Sequence, residues 1–153
     1  MDIHKSLVLV LEEINFASRY SDLCKKHSNF DESLNDYNKS LIQTFLESNG
    51  VKVSFSKNEN FFKIVEKVGE LSIQFNIIPN RGFLQFVWDV KKGQERLDLS
   101  WGMWESITRE LASIDAKKPL FSSSGELAEI LTEALSIHED FRRELLKMQE
   151  GHV

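Results

Sequence analysis

The stretch LSIQFNIIPNRGFLQFVWDV, residues 71–90, decides the fold class of this chain. It holds two runs in which apolar and polar side chains alternate, Leu71 to Ile77 and Leu84 to Val90. Successive side chains of a strand point to opposite faces, so each run predicts a β-strand with one apolar face. Between the runs, Pro79-Asn80-Arg81-Gly82 has the composition of a tight turn. The stretch therefore predicts an antiparallel hairpin that turns one face toward a core.

The same alternation extends the sheet on both sides of the hairpin. The segments VKVSFS (51–56) and FFKIVEKV (61–68) precede it, and ERLDLS (95–100) follows it as a short candidate strand. Because the links between these segments are short, strands that are neighbours in sequence are expected to pair antiparallel. We predict a meander of four to five strands.

The two faces of the predicted sheet differ in what they carry. Trp88 alternates with the core-facing residues of the last long strand. Phe83 and Val87 fall on the opposite face, with Phe62 as a candidate to join them across the sheet. That face is then either partly covered by a helix or an apolar patch of the kind that marks an interface.

Helical periodicity flanks the sheet at both ends of the chain. One helix is predicted from about Asp2 to Lys26 and a second from about Ser33 to Ser48. After the sheet, a helix buries Trp104, and a final helix runs from about Gly125 to Gln149 behind a capping box. The order of elements predicts an α+β fold in which helices pack on one sheet face, as a single domain over residues 1–153.

Composition narrows the class of protein. The chain is 41% hydrophobic and 28% charged, as expected of a packed globular domain, and its net charge of −5 argues against binding nucleic acid. Its single cysteine, Cys24, rules out an intrachain disulfide and favours a reducing compartment. The apolar run Leu7 to Leu11 is too short for a signal peptide core or a membrane span. We predict a soluble, cytoplasmic protein that binds no membrane.

The cysteine and histidines of the chain form no recognisable catalytic or metal motif. Cys24 and His27 are three residues apart, but no second Cys/His pair completes a zinc site. The favoured interpretation of Cys24 is a small buried hydrophobe. His138 lacks the second histidine of the zinc-protease helix, so His4, His138 and His152 are interpreted as surface residues.

One pair of carboxylates keeps an enzymatic alternative open. Asp89 on the last long strand and Asp98 become neighbours if the fifth strand folds back. A glycosidase-like or metal-binding dyad needs such proximity inside a cleft, whereas a solvated strand face explains the same residues more simply. We predict no enzymatic activity, no catalytic residue, no metal site and no cofactor.

The final helix carries an unusual distribution of charge. Residues 121–141 include five acids and no lysine or arginine, and three of the acids step by three and four residues along one helical face. Two interpretations stay open: an ordinary solvated face, and a negative strip that steers and holds a basic partner. Trp101 has no place on the apolar stripe of its helix and is predicted to be exposed as an anchor. The predicted partner-binding residues are Trp101, Glu126, Glu129, Glu133 and Asp140.

The chain resembles the immunity proteins of bacterial polymorphic toxin systems. The features that carry the resemblance are the two N-terminal helices, the aromatic meander LSIQFNIIPNRGFLQFVWDV and the helix start LSWGMWESI (99–107). The resemblance implies a protein that neutralises a cognate toxin by stoichiometric binding, usually over the toxin's active site, and so protects the producing cell. The implied partner is a toxin domain with a basic surface.

A second resemblance leads to a different function. Type III secretion chaperones are also small, acidic α+β proteins, and they bind an unfolded effector segment as homodimers. That family interleaves a helix among its strands, whereas two helices precede every predicted strand in this chain. An apolar groove at Phe83 and Val87 would favour the chaperone.

Overall fold

A computed structural model describes residues 3–28, 39–80, 82–97 and 102–150, without the side chains of residues 3 and 4. The helices are Ile3–Glu13 (α1), Phe16–Lys26 (α2), Lys39–Ser48 (α3), Trp104–Ala112 (α4) and Ser124–Glu150 (α5). The strands are Ser54–Ser56 (β1), Phe61–Val68 (β2), Leu71–Asn80 (β3), Phe83–Lys92 (β4) and Glu95–Arg96 (β5). All five strands form one antiparallel sheet in sequence order. The predicted α+β class and the predicted meander are therefore confirmed.

The register of the sheet follows the alternation in the sequence. Phe75 of β3 lies opposite Ile64 of β2 and Trp88 of β4, and all three side chains are buried. The burial of Trp88 confirms its predicted core position. The suggestion that Phe62 joins the opposite face is wrong, because Phe62 pairs with Ile77 and is buried on the core face.

The long first helix predicted from Asp2 to Lys26 is wrong, because two helices occupy its place. Asn15 separates α1 from α2 in a left-handed backbone conformation, with φ 57° and ψ 41°. Asparagine tolerates this conformation better than most residues, since its short polar side chain can bond locally. The break lets α1 and α2 pack against α5 as separate helices.

The second helix is confirmed over its C-terminal part. Its predicted start at Ser33 lies outside the described residues, and α3 covers Lys39 to Ser48. Gly50 ends it with φ 76°, and the amide of Val51 bonds back to the carbonyl of Leu46 at 3.0 Å. A left-handed glycine of this kind commonly ends a helix.

An aromatic cluster forms the centre of the core. Trp104, at the start of α4, has no exposed surface, which confirms its predicted burial. Its ring packs within about 5.5 Å, centroid to centroid, of five others: Phe16, Tyr20, Phe75, Phe86 and Trp88. The backbone at Gly102, just before α4, packs closely against β4. Glycine permits this approach, because a Cβ at this position would lie 1.8 Å from the carbonyl oxygen of Trp88.

Irregular segments lie along the outer edge of β4. Phe83 pairs with Leu120 and Val87 pairs with Met103, each in an isolated antiparallel bridge, and β5 pairs with the end of the strand. At the opposite edge of the sheet, β1 contributes only three residues.

Candidate functional site

The residues predicted to bind a partner fall into two groups. Trp101 lies outside the described residues, as does Asp98 of the alternative carboxylate pair. The four acids lie on α5, where three of them contact side chains of α2 and its C-terminal end. The candidate site is therefore the boundary between α2 and α5.

Arg19 of α2 forms one end of this boundary. Its guanidinium donates to Glu133 Oε1 at 3.2 Å, to Asp140 Oδ2 at 2.7 Å and to Ser136 Oγ at 3.1 Å. Asp140 also accepts from Arg143 at 3.2 Å. Two of the predicted binding acids are thus fixed in position by a cation of the same chain.

His27, just past the end of α2, forms the other end. Its ring is only 2% exposed, and Nδ1 lies 2.8 Å from Glu126 Oε2. Nε2 lies 3.8 Å from Glu129 Oε2, beyond hydrogen-bond distance. Glu126 Oε1 accepts from both the amide and the hydroxyl of Ser122, at 2.7 and 2.9 Å.

The capping arrangement predicted at the start of α5 gives Glu126 this position. The amide of Glu126 donates to Ser123 Oγ at 3.1 Å, as the capping box requires, and the glutamate side chain turns toward Ser122. Partial burial works to raise the pKa of Glu126, but the hydrogen bonds from His27 and Ser122 outweigh it and lower that pKa. Glu126 is therefore a carboxylate at neutral pH.

A cleft of about 510 Å³ opens between the two ends, and residues of α2 and α5 line it. Leu23 and Ala128 contribute apolar surface, while Glu129, 62% exposed, stands on the α5 side. The remaining lining residues are polar or charged: Arg19, Asp22, Lys26, His27, Thr132 and Glu133.

His138, interpreted from sequence as a surface residue, is buried, so that interpretation is wrong. Trp88 Nε1 donates to its Nδ1 at 3.0 Å, and its Nε2 lies 2.6 Å from Glu66 Oε1. The ring also stacks on Phe75 with centroids 4.5 Å apart. Chiefly through this hydrogen bond from His138, and with help from Arg142, the pKa of Glu66 is lowered against the opposing effect of burial.

Cys24 lies in the interior and is not poised for chemistry. Burial raises the pKa of its thiol to about 12, so the nucleophilic thiolate is scarce at neutral pH. Burial also raises the pKa of the neighbouring Tyr20, whose hydroxyl donates to Glu105 at 3.2 Å. Glu105 in turn contacts Gln85 and Lys118, each at 3.3 Å.

The other candidates from the sequence are engaged within the fold. Asp89 lies 3.4 Å from Arg96 Nε and 3.9 Å from Lys91 Nζ. Its Oδ1 atom has no hydrogen bond of good geometry, but the nearby guanidinium offsets its charge. Phe83 and Val87 are half-buried on the outer sheet face, and Lys118 lies over the Phe83 ring.

The contacts of Arg19 and His27 with α5 were not predicted from the sequence. Arg19 contacts Asp140 across 121 positions of sequence, and His27 contacts Glu126 across 99. In the sequence, Arg19 is one of several polar residues that lie off the apolar stripe of the predicted first helix. The single available signal was the absence of lysine and arginine from residues 121–141, which left those acids in need of cations from elsewhere.

Two further properties concern the part of the chain that the structure describes. Within residues 3–28, 39–80, 82–97 and 102–150, no three His, Cys, Asp or Glu side chains are grouped so that they could hold a metal ion. None of the helices in those ranges combines the length and the apolar character that crossing a bilayer requires.

Comparison with family models, with curated proteins and with solved structures finds no match.

Proposed function

We propose that this protein binds and neutralises a cognate bacterial toxin by forming a stoichiometric complex. The observation that carries the proposal is the row of carboxylates along α5, Glu126, Glu129, Glu133 and Asp140, of which Glu129 and Glu133 line an open cleft. A negatively charged surface of this kind is complementary to a basic toxin domain.

The rigidity of the row supports a binding role. The opposite side of α5 is anchored in the core by eight buried residues, and Arg19 holds Glu133 and Asp140 in place. Side chains that are ordered before binding lose little conformational entropy when the complex forms. An inhibitor that must act stoichiometrically benefits from such preorganisation.

The chemistry of the interior also favours binding over catalysis. The groups that most resemble catalytic residues, Cys24 and His138, are buried, and His138 is hydrogen-bonded to Trp88 and Glu66. A nucleophile or general base must reach its substrate, and these two groups contact the core instead. Polar and charged side chains line the open cleft between α2 and α5.

Growth rescue and complex formation test the proposal directly. A toxin-like domain encoded immediately upstream of this chain should kill cells when expressed alone and spare them when this protein is co-expressed. The purified pair should elute as a complex with equal numbers of the two chains, measured by light scattering. Neither rescue nor a complex would contradict the proposal, and capture of an effector's N-terminal segment would favour the chaperone.

Charge reversal tests the contribution of the carboxylate row. Glu129→Lys should weaken the complex by about tenfold at low salt and much less at high salt, because surface charges are screened within about 10 Å at 0.1 M ionic strength. The matched control is Glu150→Lys, an exposed acid of the same helix about 30 Å away at 1.5 Å per residue. A loss of affinity that does not depend on salt would contradict electrostatic steering.

A further inference from the structure

We propose that the cleft between α2 and α5 binds one arginine side chain of the partner, with its guanidinium between His27 Nε2 and the Glu129 carboxylate. The proposal rests on the proposed function only for the source of the arginine. The site itself consists only of side chains of this chain.

Glu126 determines which ring nitrogen of His27 carries a hydrogen. Glu126 Oε1 already accepts two donors from Ser122, and Oε2 faces His27 Nδ1 at 2.8 Å. An ionised carboxylate can only accept hydrogen bonds, so Nδ1 must carry a hydrogen and donate it. In the neutral ring, Nε2 is then left with its lone pair, and His27 lines the cleft.

The Glu129 carboxylate faces Nε2 of His27. In the neutral form of the ring, Nε2 and Glu129 Oε2 are two hydrogen-bond acceptors that face each other across 3.8 Å, too far apart for a hydrogen bond between them. His27 is almost fully buried, whereas Glu129 is 62% exposed. Within the described residues, no lysine or arginine lies within ion-pair distance of the Glu129 carboxylate. The pair is therefore an acceptor site that a donor entering the cleft can satisfy.

A guanidinium is the donor that fits this acceptor site. A guanidinium presents five N–H groups in a rigid planar fork, so one group can reach both the ring nitrogen and the carboxylate. A lysine ammonium is a compact point charge and lacks that fork. Zinc needs three or four protein ligands, and within the described residues this site offers two.

The walls of the cleft fit the rest of an arginine side chain. Leu23 and Ala128 offer apolar surface to its methylene groups, as arginine stems commonly use. Asp22 and Lys26 carry opposite charges at the rim, so they largely offset each other.

The chain already holds one guanidinium in the same way, one helical turn away. Arg19 lies between the carboxylates of Glu133 and Asp140, and Glu133 follows Glu129 by four residues on α5. Arg19 donates to the side chains of Glu133, Asp140 and Ser136, and Glu129 is not among these three partners. The second position offers one carboxylate, that of Glu129, and the ring nitrogen of His27 instead of a second carboxylate.

The test uses the full chain and a small probe in place of the toxin. N-acetyl-arginine amide is titrated into isotope-labelled protein, and the resonances of the His27 ring and of Glu129 are followed by NMR. We expect saturable shifts with a dissociation constant on the order of 1–10 mM, as a single side chain can provide. N-acetyl-citrulline amide, which has the same shape without the charge, should produce no saturable shift.

Two variants locate the site. Glu129→Gln should raise the dissociation constant roughly fivefold, since it removes the charge of an exposed partner. Glu150→Gln, at the far end of α5, should leave the titration unchanged. Equal shifts with citrulline, no saturation, or undiminished binding by Glu129→Gln would each overturn the arginine site.

The outcome separates this proposal from the proposed function. Saturable arginine binding in a protein that forms no toxin complex would retain the site and overturn the toxin-binding function. A toxin complex without arginine binding would support the toxin-binding function and overturn the arginine site.

Discussion

Two buried histidines in the described part of the chain differ in one contact. His27 and His138 are 2% and 4% exposed, and each lies beside a glutamate, at 2.8 and 2.6 Å. The second nitrogen of His138 accepts a hydrogen bond from Trp88, inside the core. The second nitrogen of His27 faces Glu129 at 3.8 Å, on the border of an open cleft.

The difference separates a structural role from a binding role. At His138 every strong donor and acceptor of the ring is used within the fold, so the ring joins β2, β4 and α5. At His27, which lines the cleft, the contact of the second nitrogen with Glu129 is too long for a hydrogen bond. Burial alone therefore does not distinguish the two residues; the use of the second ring nitrogen does.

The largest expected effect is the loss of the His138 ring. His138→Ala should lower the free energy of unfolding by about 3 kcal/mol, because it opens a cavity against Phe75 and leaves the Trp88 N–H without an acceptor. His27→Ala should cost only about 1 kcal/mol, since Glu126 keeps both donors from Ser122. Urea denaturation of the two variants measures the difference. Equal losses would show that the two sites are equivalent after all.

A smaller effect is expected from the carboxylate beside His138. Glu66→Gln should lower the free energy of unfolding by about 1 kcal/mol at pH 7, because it removes a charge that favours the hydrogen bond from His138. The pKa of Glu66 is lowered below its ordinary 4.5 in the fold, so its contribution is full above pH 4.5 and is lost as the pH falls through the folded value. Urea denaturation from pH 7 to pH 3 should therefore show the variant and the wild type converging in acid. A constant difference would contradict a charged role for Glu66.

The smallest effect on stability is expected at Glu129. Glu129→Gln should change the free energy of unfolding by less than about 0.5 kcal/mol, since the carboxylate is exposed and 3.8 Å from its neighbour. The same denaturation experiment measures this change. A loss above about 1 kcal/mol would mean that Glu129 holds His27 in place, as Glu66 holds His138, and the proposed difference between the sites would disappear.

Most of the sheet could be predicted because its signal is local. Alternation over residues 71–90 placed Trp88 on the core face, and Pro79 to Gly82 marked the turn. The break at Asn15 was missed because apolar residues continue with helical spacing on both sides of it. The face of Phe62 was missed because a pair of adjacent phenylalanines gives no alternation to follow.

The candidate site could be predicted only in part. The acids of α5 were visible as a spacing of three and four residues, but their partners lie about a hundred positions away in sequence. Spacing reports on neighbours within one element, whereas such contacts depend on how elements pack. The core position of His138 was missed for the same reason, since Trp88 and Glu66 reach it from separate strands.

The outer edge of β4 has a consequence for recognition and for aggregation. Leu120, Met103 and β5 occupy that edge in turn, and β1 leaves only three residues at the other side of the sheet. Exposed strand edges invite foreign strands to add to a sheet, and short or covered edges resist it. At the outer edge of β4, a partner is therefore expected to recognise side chains rather than extend the backbone ladder, and copies of this chain should resist fibril-like stacking through that edge.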